Sequence, residues 1–286
     1  MLEKPKKKRV QSPSSINCYR QCPRKYFYCY IKKLKTAANI HTIRGNIVHT
    51  TLEDFFNLKP EEIEKYNEKD ITELIQYLQE TIINLFNQTW KKYSKRLDDL
   101  KLDKAQLEFY FDESIAMIDL WLRDFMKKLK KESEKKDKTY SQAFNALRPI
   151  LREKELKSTR HNVRGFIDAI HSKDKAITIL DYKTSKKNEI TDDIRLQLAI
   201  YALLFQETYG KLPHKVGAYF LKHGEDGEKY VEADEELLQL AKLECELIDT
   251  NTQTVDKSDY PKKKSGLCKW ATGQCDFYDV CNVDED

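Results

Sequence analysis

The 286-residue sequence predicts an α/β protein, with a mixed central sheet flanked by helices and a large helical insertion. Three observations predict this. A long Gly-poor stretch repeats apolar residues at helical spacing, three short strand-like runs follow it, and a helix-like segment then leads into one further strand-like run. Strand, helix and strand in succession form a crossover unit with parallel pairing.

Taken in order, hydroxyls of Ser12, Ser14 and Ser15 around Pro13 offer capping groups ahead of Ile16 to Ile31, a Tyr-, Phe- and Arg-rich segment read as a short helix. From Arg44 the residues Gly45, Ile47, Val48, Leu52, Phe55 and Phe56 recur at helical spacing, leaving His49 and Glu53 one turn apart. Residues Glu61 to about Lys136 are all-helical by the 3.6 period of Leu74, Ile75, Leu78, Ile82, Leu85 and Phe86, with Lys/Glu-rich outer faces as solvated surface. Ile150 to Lys157, Val163 to Ile170 and Ala176 to Asp181 read as strands, with Lys173-Asp174-Lys175 as a hairpin connection. Thr191-Asp192-Asp193 opens a helix through Tyr209, stopped by Gly210 and Pro213, and Val216 to Leu221 is the next strand. Asp234 to about Ile248 is helical again, and from Lys262 the chain is a cysteine-bearing loop region. The expected organisation is a basic tail over residues 1–11 and one domain over 12–286, with the insertion near 60–146, the core near 147–233 and the cysteine-bearing end near 262–286.

Charged residues make up 34% and apolar residues 40%, which excludes a wholly disordered chain, and the net charge is +4. Basic side chains cluster at Lys6, Lys7, Lys8 and Arg9 and at Lys262, Lys263 and Lys264, patches that suit a phosphate backbone as well as a solvated tail. No stretch approaches the roughly 20 apolar residues of a membrane span, and the start lacks a secretory apolar segment, so a soluble, intracellular, cytoplasmic protein is expected. Pro5 to Val10 resembles a short nuclear localisation signal, and the same residues could touch DNA. No Gly-x-x-x-x-Gly-Lys-Ser/Thr phosphate loop occurs, so a motor activity would belong to a partner.

Asp168 ends the alternating run from Arg164, and Asp181 and Lys183 close the apolar run from Ile177. Residues two apart on a strand share a face, and a hairpin would bring Asp168 beside them. Two carboxylates held together need protonation or a cation, and Mg²⁺ or Mn²⁺ with oxygen ligands supplies that neutralisation. Such an ion can activate water against a phosphodiester while Lys183 offsets phosphate charge. His49 stands upstream, Gly165 precedes Asp168, and Gln197 and Tyr201 lie four apart on the next helix, where an amide and a phenol share one face.

The segments Ser12 to Ser15, Cys22 to Tyr28, Arg44 to Glu53, Gly165 to Asp168, Asp181 to Thr184 and Gln197 to Tyr201 together resemble the PD-(D/E)XK nuclease superfamily. The likeness is to the RecB-like branch, which includes the AddB nuclease domain, replication helicase-nucleases and CRISPR-adaptation nucleases. It implies a restriction-endonuclease-like core in which His49, Asp168, Asp181 and the Tyr182 carbonyl bind metal, Lys183 is catalytic, and Gln197 and Tyr201 support the site. It also implies a DNA nuclease, favouring exonuclease action on single-stranded ends, with a helicase or recombination partner. Tyr26, Phe27, Tyr28 and Trp270 are stacking surfaces for unpaired bases or, equally, core. The rivals are a CRISPR-adaptation type of processing nuclease working inside a complex, and a non-catalytic DNA-binding or assembly module.

Seven cysteines point to thiols or metal ligation before disulfides. Thiolates of Cys22, Cys268, Cys275 and Cys281 could clamp a cluster that staples the two chain ends together. The resemblance supports a [4Fe-4S] cluster, but family members show C-x2-C-x5-C, whereas six residues separate Cys268 from Cys275 and five separate Cys275 from Cys281. A loop insertion over Ala271 to Gln274 would preserve the ligands. Zinc at the same thiolates and free structural thiols remain open. Cys18, Cys29 and Cys245 read as buried small side chains.

Overall fold

The computed structural model describes residues 9–67, 70–135, 138–271 and 273–283, so Lys6, Lys7 and Lys8 of the basic run lie outside the described residues. The first predicted helix breaks in two. Helix α1 (Pro13–Gln21) begins where Ser12 Oγ accepts the Ser15 N–H at 3.2 Å and Ser15 Oγ accepts the Ser12 N–H at 2.8 Å. Pro23 then disfavours helical backbone at the residue before it, and Cys22 is extended (φ −163°, ψ 114°). The chain restarts as α2 (Pro23–Tyr26) and widens into a π-turn over Phe27–Ile31. Helix α3 (Ile40–Phe55) carries His49, and its N-cap Asn39 accepts the His41 N–H at 2.7 Å.

The predicted helical stretch forms α4 (Pro60–Glu64), α5 (Ile71–Lys92), α6 (Ser94–Asp98), α7 (Lys104–Lys135) and α8 (Tyr140–Leu147). Strands β1 (Leu151–Ser158), β2 (Val163–Lys173) and β3 (Ala176–Lys183) follow, then α9 (Asp192–Tyr209), β4 (Lys215–Phe220) and β5 (Glu228–Glu232). The sheet order is β1-β2-β3-β4-β5, antiparallel except for the parallel β3–β4 pair that α9 connects. Asp174 and Lys175 turn the β2–β3 hairpin with φ of 49° and 68°, the left-handed backbone whose twist matches the strands it joins. Gly210 stops α9 with φ 71°, as predicted. Strand β5 was not expected from sequence: Glu-Lys-Tyr-Val-Glu shows only a weak apolar alternation, and pairing with β4 makes it a strand.

Helix α10 (Glu235–Asn251) starts where Asp234 accepts the Leu237 N–H at 2.8 Å. The end of the chain is more ordered than a loop: β6 (Lys269–Trp270) pairs with β7 (Gly273–Gln274), and α11 (Tyr278–Val283) follows. That hairpin occupies the expected insertion between Ala271 and Gln274, within which Thr272 lies outside the described residues.

Both faces of the sheet are covered, which explains the continuous apolar runs of β3 and β4. On one face Ala169, Leu180, Tyr182 and Tyr219 join a core with α3, α5, α7 and α8; on the other Ile167, Ile170, Ile179 and Val216 pack with α1, α9 and α10. The aromatics Tyr26, Phe27 and Tyr28 belong to that second core at 0%, 1% and 3% exposure, so of the two readings left open for them, base stacking and core packing, the second holds. Tyr260 and Phe277, from the far end of the chain, cover them, with Tyr26 and Tyr260 stacked at 6.1 Å. Trp270 is 48% exposed. Among the described residues no helix is long and apolar enough to cross a membrane.

Candidate active site

Three acidic residues stand in line across three strands. The pairs Arg152↔Ala169 and Lys154↔Ile167 place Glu153 of β1 opposite Asp168 of β2, and the pair Ala169↔Leu180 carries the same register on to Asp181 of β3. Like charges directly opposite one another destabilise a sheet, so this arrangement needs compensation. It comes from two networks that meet at this end of the strands.

The first network faces α9. Lys183 Nζ lies 2.6 Å from Asp181 Oδ2 and donates to Gln197 Oε1 at 2.6 Å. Gln197 Nε2 donates to Asp181 Oδ1 at 2.9 Å and to the Tyr201 hydroxyl oxygen at 2.8 Å, and Tyr201 OH donates to Asp181 Oδ1 at 3.4 Å. The i,i+4 pair on α9 and the i,i+2 pair on β3 thus converge as their periods require. Gly165 makes the approach possible: a Cβ there would stand 2.8 Å from the Tyr201 ring and 3.2 Å from Leu204.

The second network faces α3. His49 Nδ1 is 3.3 Å from Asp168 Oδ2, which also accepts the Tyr182 N–H at 2.7 Å. His49, Asp168 and Glu153 present one ligand atom each, all within 4.8 Å of one another. Glu153 was not anticipated from sequence. Its signal is structural: a left-handed φ of 43° inside a strand, which L side chains rarely adopt. Glu53, one turn after His49, instead leaves its carbonyl to Arg152 Nη1 at 2.8 Å.

Burial dominates the electrostatics. It pushes the Asp181 carboxyl up, and the Asp168 charge adds to this against the opposing Lys183 ammonium. The same burial acts on Asp168, yet His49 and the Tyr182 N–H hold that carboxyl below the usual range. Burial would lower His49, but Asp168 keeps it at about 9. Glu153 is raised to about 7 by burial and by Asp168. Imidazole nitrogen and carboxylate oxygens crowded together are a donor set that a hard divalent ion satisfies and that is repulsive when unprotonated without one.

The cysteines form a separate centre. Cys22, Cys268, Cys275 and Cys281 line one cavity of about 460 Å³ together with Lys25 and Lys262 to Lys264. Burial raises the Cys281 thiol, Lys262 and Arg24 oppose it, and Cys22 and Cys268 lie near enough to add to the rise. The reading of Cys18 and Cys29 as isolated buried side chains is corrected: both are half-buried and hydrogen-bond each other, which drives Cys18 up and Cys29 down. Cys245 is buried, as expected.

A profile of the PD-(D/E)XK nuclease superfamily matches residues 11–282. The CRISPR-associated exonuclease Cas4 of Francisella tularensis subsp. novicida (strain U112) is 26% identical over 179 residues, covering 60% of this chain and 85% of the relative. A solved structure of a candidate exonuclease from Eubacterium rectale shares the fold at TM-score 0.53 and 11% identity, covering 96% of this chain and 94% of that one. The chain belongs to the PD-(D/E)XK nuclease superfamily.

Proposed function

We propose that this nuclease is a divalent-metal-dependent deoxyribonuclease that hydrolyses phosphodiesters at single-stranded DNA ends, in repair, recombination or replication and beside a helicase or recombination partner. The observation that carries it is the joining of Asp168, Asp181 and Lys183 at one end of the sheet, each tied to a partner on a different helix or strand. Mg²⁺ or Mn²⁺ would be held by His49, Asp168, Asp181 and the Tyr182 carbonyl, with Glu153 added by the geometry. When bound, such an ion supplies charge neutralisation at the phosphate and a more acidic water. Lys183, steadied between Asp181 and Gln197, presents its ammonium to the phosphate oxygens. Gln197 and Tyr201 fix Asp181 in position. Hydrolysis then adds a water oxygen to phosphorus, breaks one ester P–O bond and returns a proton to the leaving alkoxide.

The cavity of Cys22, Cys268, Cys275 and Cys281 fits a [4Fe-4S] cluster, since four thiols without disulfides face one space of sufficient size. Zinc at the same thiolates is the competing occupant. Likeness to a CRISPR-associated exonuclease favours a second reading, a processing nuclease active only within a complex. End-labelled single strands with Mg²⁺ or Mn²⁺ decide between the readings. Cleavage by the isolated wild type that Asp181→Ala abolishes is the expected result. Equal activity in both proteins refutes the site, and activity that appears only with partners favours the second reading. Anaerobic purification followed by visible absorbance and iron and sulfide analysis tests the cluster.

A further inference from the structure

Beyond Thr184, the residue after Lys183, basic side chains from two segments meet at one carboxylate. Arg44 of α3 and Lys222 of the 3-10 segment Leu221–Gly227 both pair with Glu113 of α7. Arg44 Nη2 donates to the Thr184 carbonyl at 3.4 Å. Burial and the neighbouring Arg44 and Lys186 charges bring Lys222 down to about 8, and burial with Arg44, Lys222 and Lys186 also lowers His41. Two full cations thus share one anion while a third stands close, so the cluster keeps an excess of positive charge.

Arg44 is only 4% exposed, and its Nε has no hydrogen-bond partner among the described residues. A guanidinium at that depth has a planar fork suited to two oxygens of one anion; here Nη1 is paired with Glu113 and Nη2 with the Thr184 carbonyl, which leaves Nε unused among the described residues. The element that supplies Glu113 is loosely held at this end. From Lys104 to Glu113 α7 has no buried residue, whereas Ser114, Met117, Ile118, Trp121 and Leu122 are all buried. Tyr110, with Arg44 over its ring at 5.5 Å and His41 at 5.6 Å, Phe111, against Phe86 and Trp90, and the partly buried Leu107 are apolar contacts of this arm with the remainder.

We propose that Arg44 and Lys222 form a subsite for a backbone phosphate of the nucleic-acid strand, and that the Glu113 carboxylate holds the place until the strand displaces it. The proposal rests on the nuclease reading above. A carboxylate and a phosphodiester are both singly charged and both offer paired oxygens, so the exchange preserves charge while freeing the α7 arm. Arg44 sits just over one helical turn before His49, which puts the subsite beside the cleavage position rather than at it.

The test is anisotropy of a fluorescein-labelled oligothymidylate with the anaerobically purified full chain, without added divalent metal so that the strand stays intact. Glu113→Gln is expected to tighten binding at least roughly threefold, because the competing anion is gone. Lys222→Gln is expected to weaken it about fivefold and to reduce the slope of log affinity against log salt by about 0.7, one phosphate contact on a single strand. Lys222→Arg should bind as the wild type does. Unchanged affinity and slope in Glu113→Gln and Lys222→Gln would overturn the subsite, leaving the pair as a tie between α7 and the sheet; so would absence of strand binding by the wild type at low salt. Cleavage of the same strand with Mg²⁺ is scored separately: shifts in binding without any cleavage keep the subsite and discard autonomous cleavage of single-stranded ends by the isolated chain.

Discussion

The acidic centre at the ends of β2 and β3 and the cysteine centre beside α2 both gather side chains from distant stretches, but they are held in opposite ways. In the acidic centre every member leans on another: Lys183 on Asp181 and Gln197, Gln197 on Tyr201, Asp168 on His49 and the Tyr182 N–H. Its backbone is strand or long helix, with Asp181 2% and Tyr201 4% exposed. In the cysteine centre Cys22 lies between two short helices, Cys268 in a turn, Cys275 just past a two-residue strand and Cys281 on a six-residue helix. Its ties include the Cys275 N–H to the Cys268 carbonyl at 2.9 Å and Arg24 Nε to the Tyr260 carbonyl at 2.7 Å, and they join short turns and loops rather than long elements. A site on rigid elements keeps its shape before it binds anything, whereas one on short loops is ordered by what it binds.

The largest effect should separate function from architecture at the acidic centre. Lys183→Met is expected to lower cleavage of a labelled single strand by roughly a thousandfold, with a melting temperature close to wild type. Equal losses of activity and stability would show that the lysine is a structural tie and would break the contrast.

Acid should strike the sheet first. His171, on the same strand as Asp168, is held down to about 4, chiefly by burial, with the Lys128 charge acting the same way and Glu228 opposing. The unfolded side chain takes up its proton near pH 6.5 while the folded one stays neutral to about 4, so stability present above pH 6.5 is lost as pH falls through that window. The difference amounts to on the order of 3 kcal/mol. Denaturation of wild type and His171→Leu between pH 7 and pH 4 should show wild type losing stability relative to the variant as pH falls; parallel curves would show that His171 does not titrate differently in the folded protein.

Gly165→Ala should come next. Its new Cβ must push the Tyr201 ring, costing about 1–3 kcal/mol as overpacking does and moving the hydroxyl that supports Asp181. Reduced cleavage with a shifted melting temperature is expected, and a silent variant would show that Tyr201 can move without consequence for the centre.

The smallest effect belongs to the loops. Cys275→Ser should abolish any visible absorbance and speed limited proteolysis after residue 261 by about tenfold, the factor given by 1.4 kcal/mol of lost local order. Cleavage of DNA should change far less. A loss of nuclease activity matching that of Lys183→Met would show that the cysteine centre supports the acidic one directly.

Sequence by itself determined whatever follows from backbone periodicity. The 3.6 repeat of Leu74, Leu78 and Ile82 required helices, the shared face of Asp181 and Lys183 required their pairing, and the four-residue step from Gln197 to Tyr201 required their contact. The left-handed pair Asp174-Lys175 and the stop at Gly210 are equally local. Tertiary structure alone decided the rest, because contacts between segments depend on register and on what covers them. Glu153 is one of several charged residues in Arg-Glu-Lys-Glu until the β1–β2 register sets it against Asp168. Tyr26, Phe27 and Tyr28 read equally as stacking surfaces or as core until Tyr260 and Phe277 arrive from the other end of the chain and cover them. Glu113 sits in the outer, unburied part of a helix whose periodicity carries no sign of Arg44 or Lys222, because the side chains it meets are brought there by α3 and by the turn after β4.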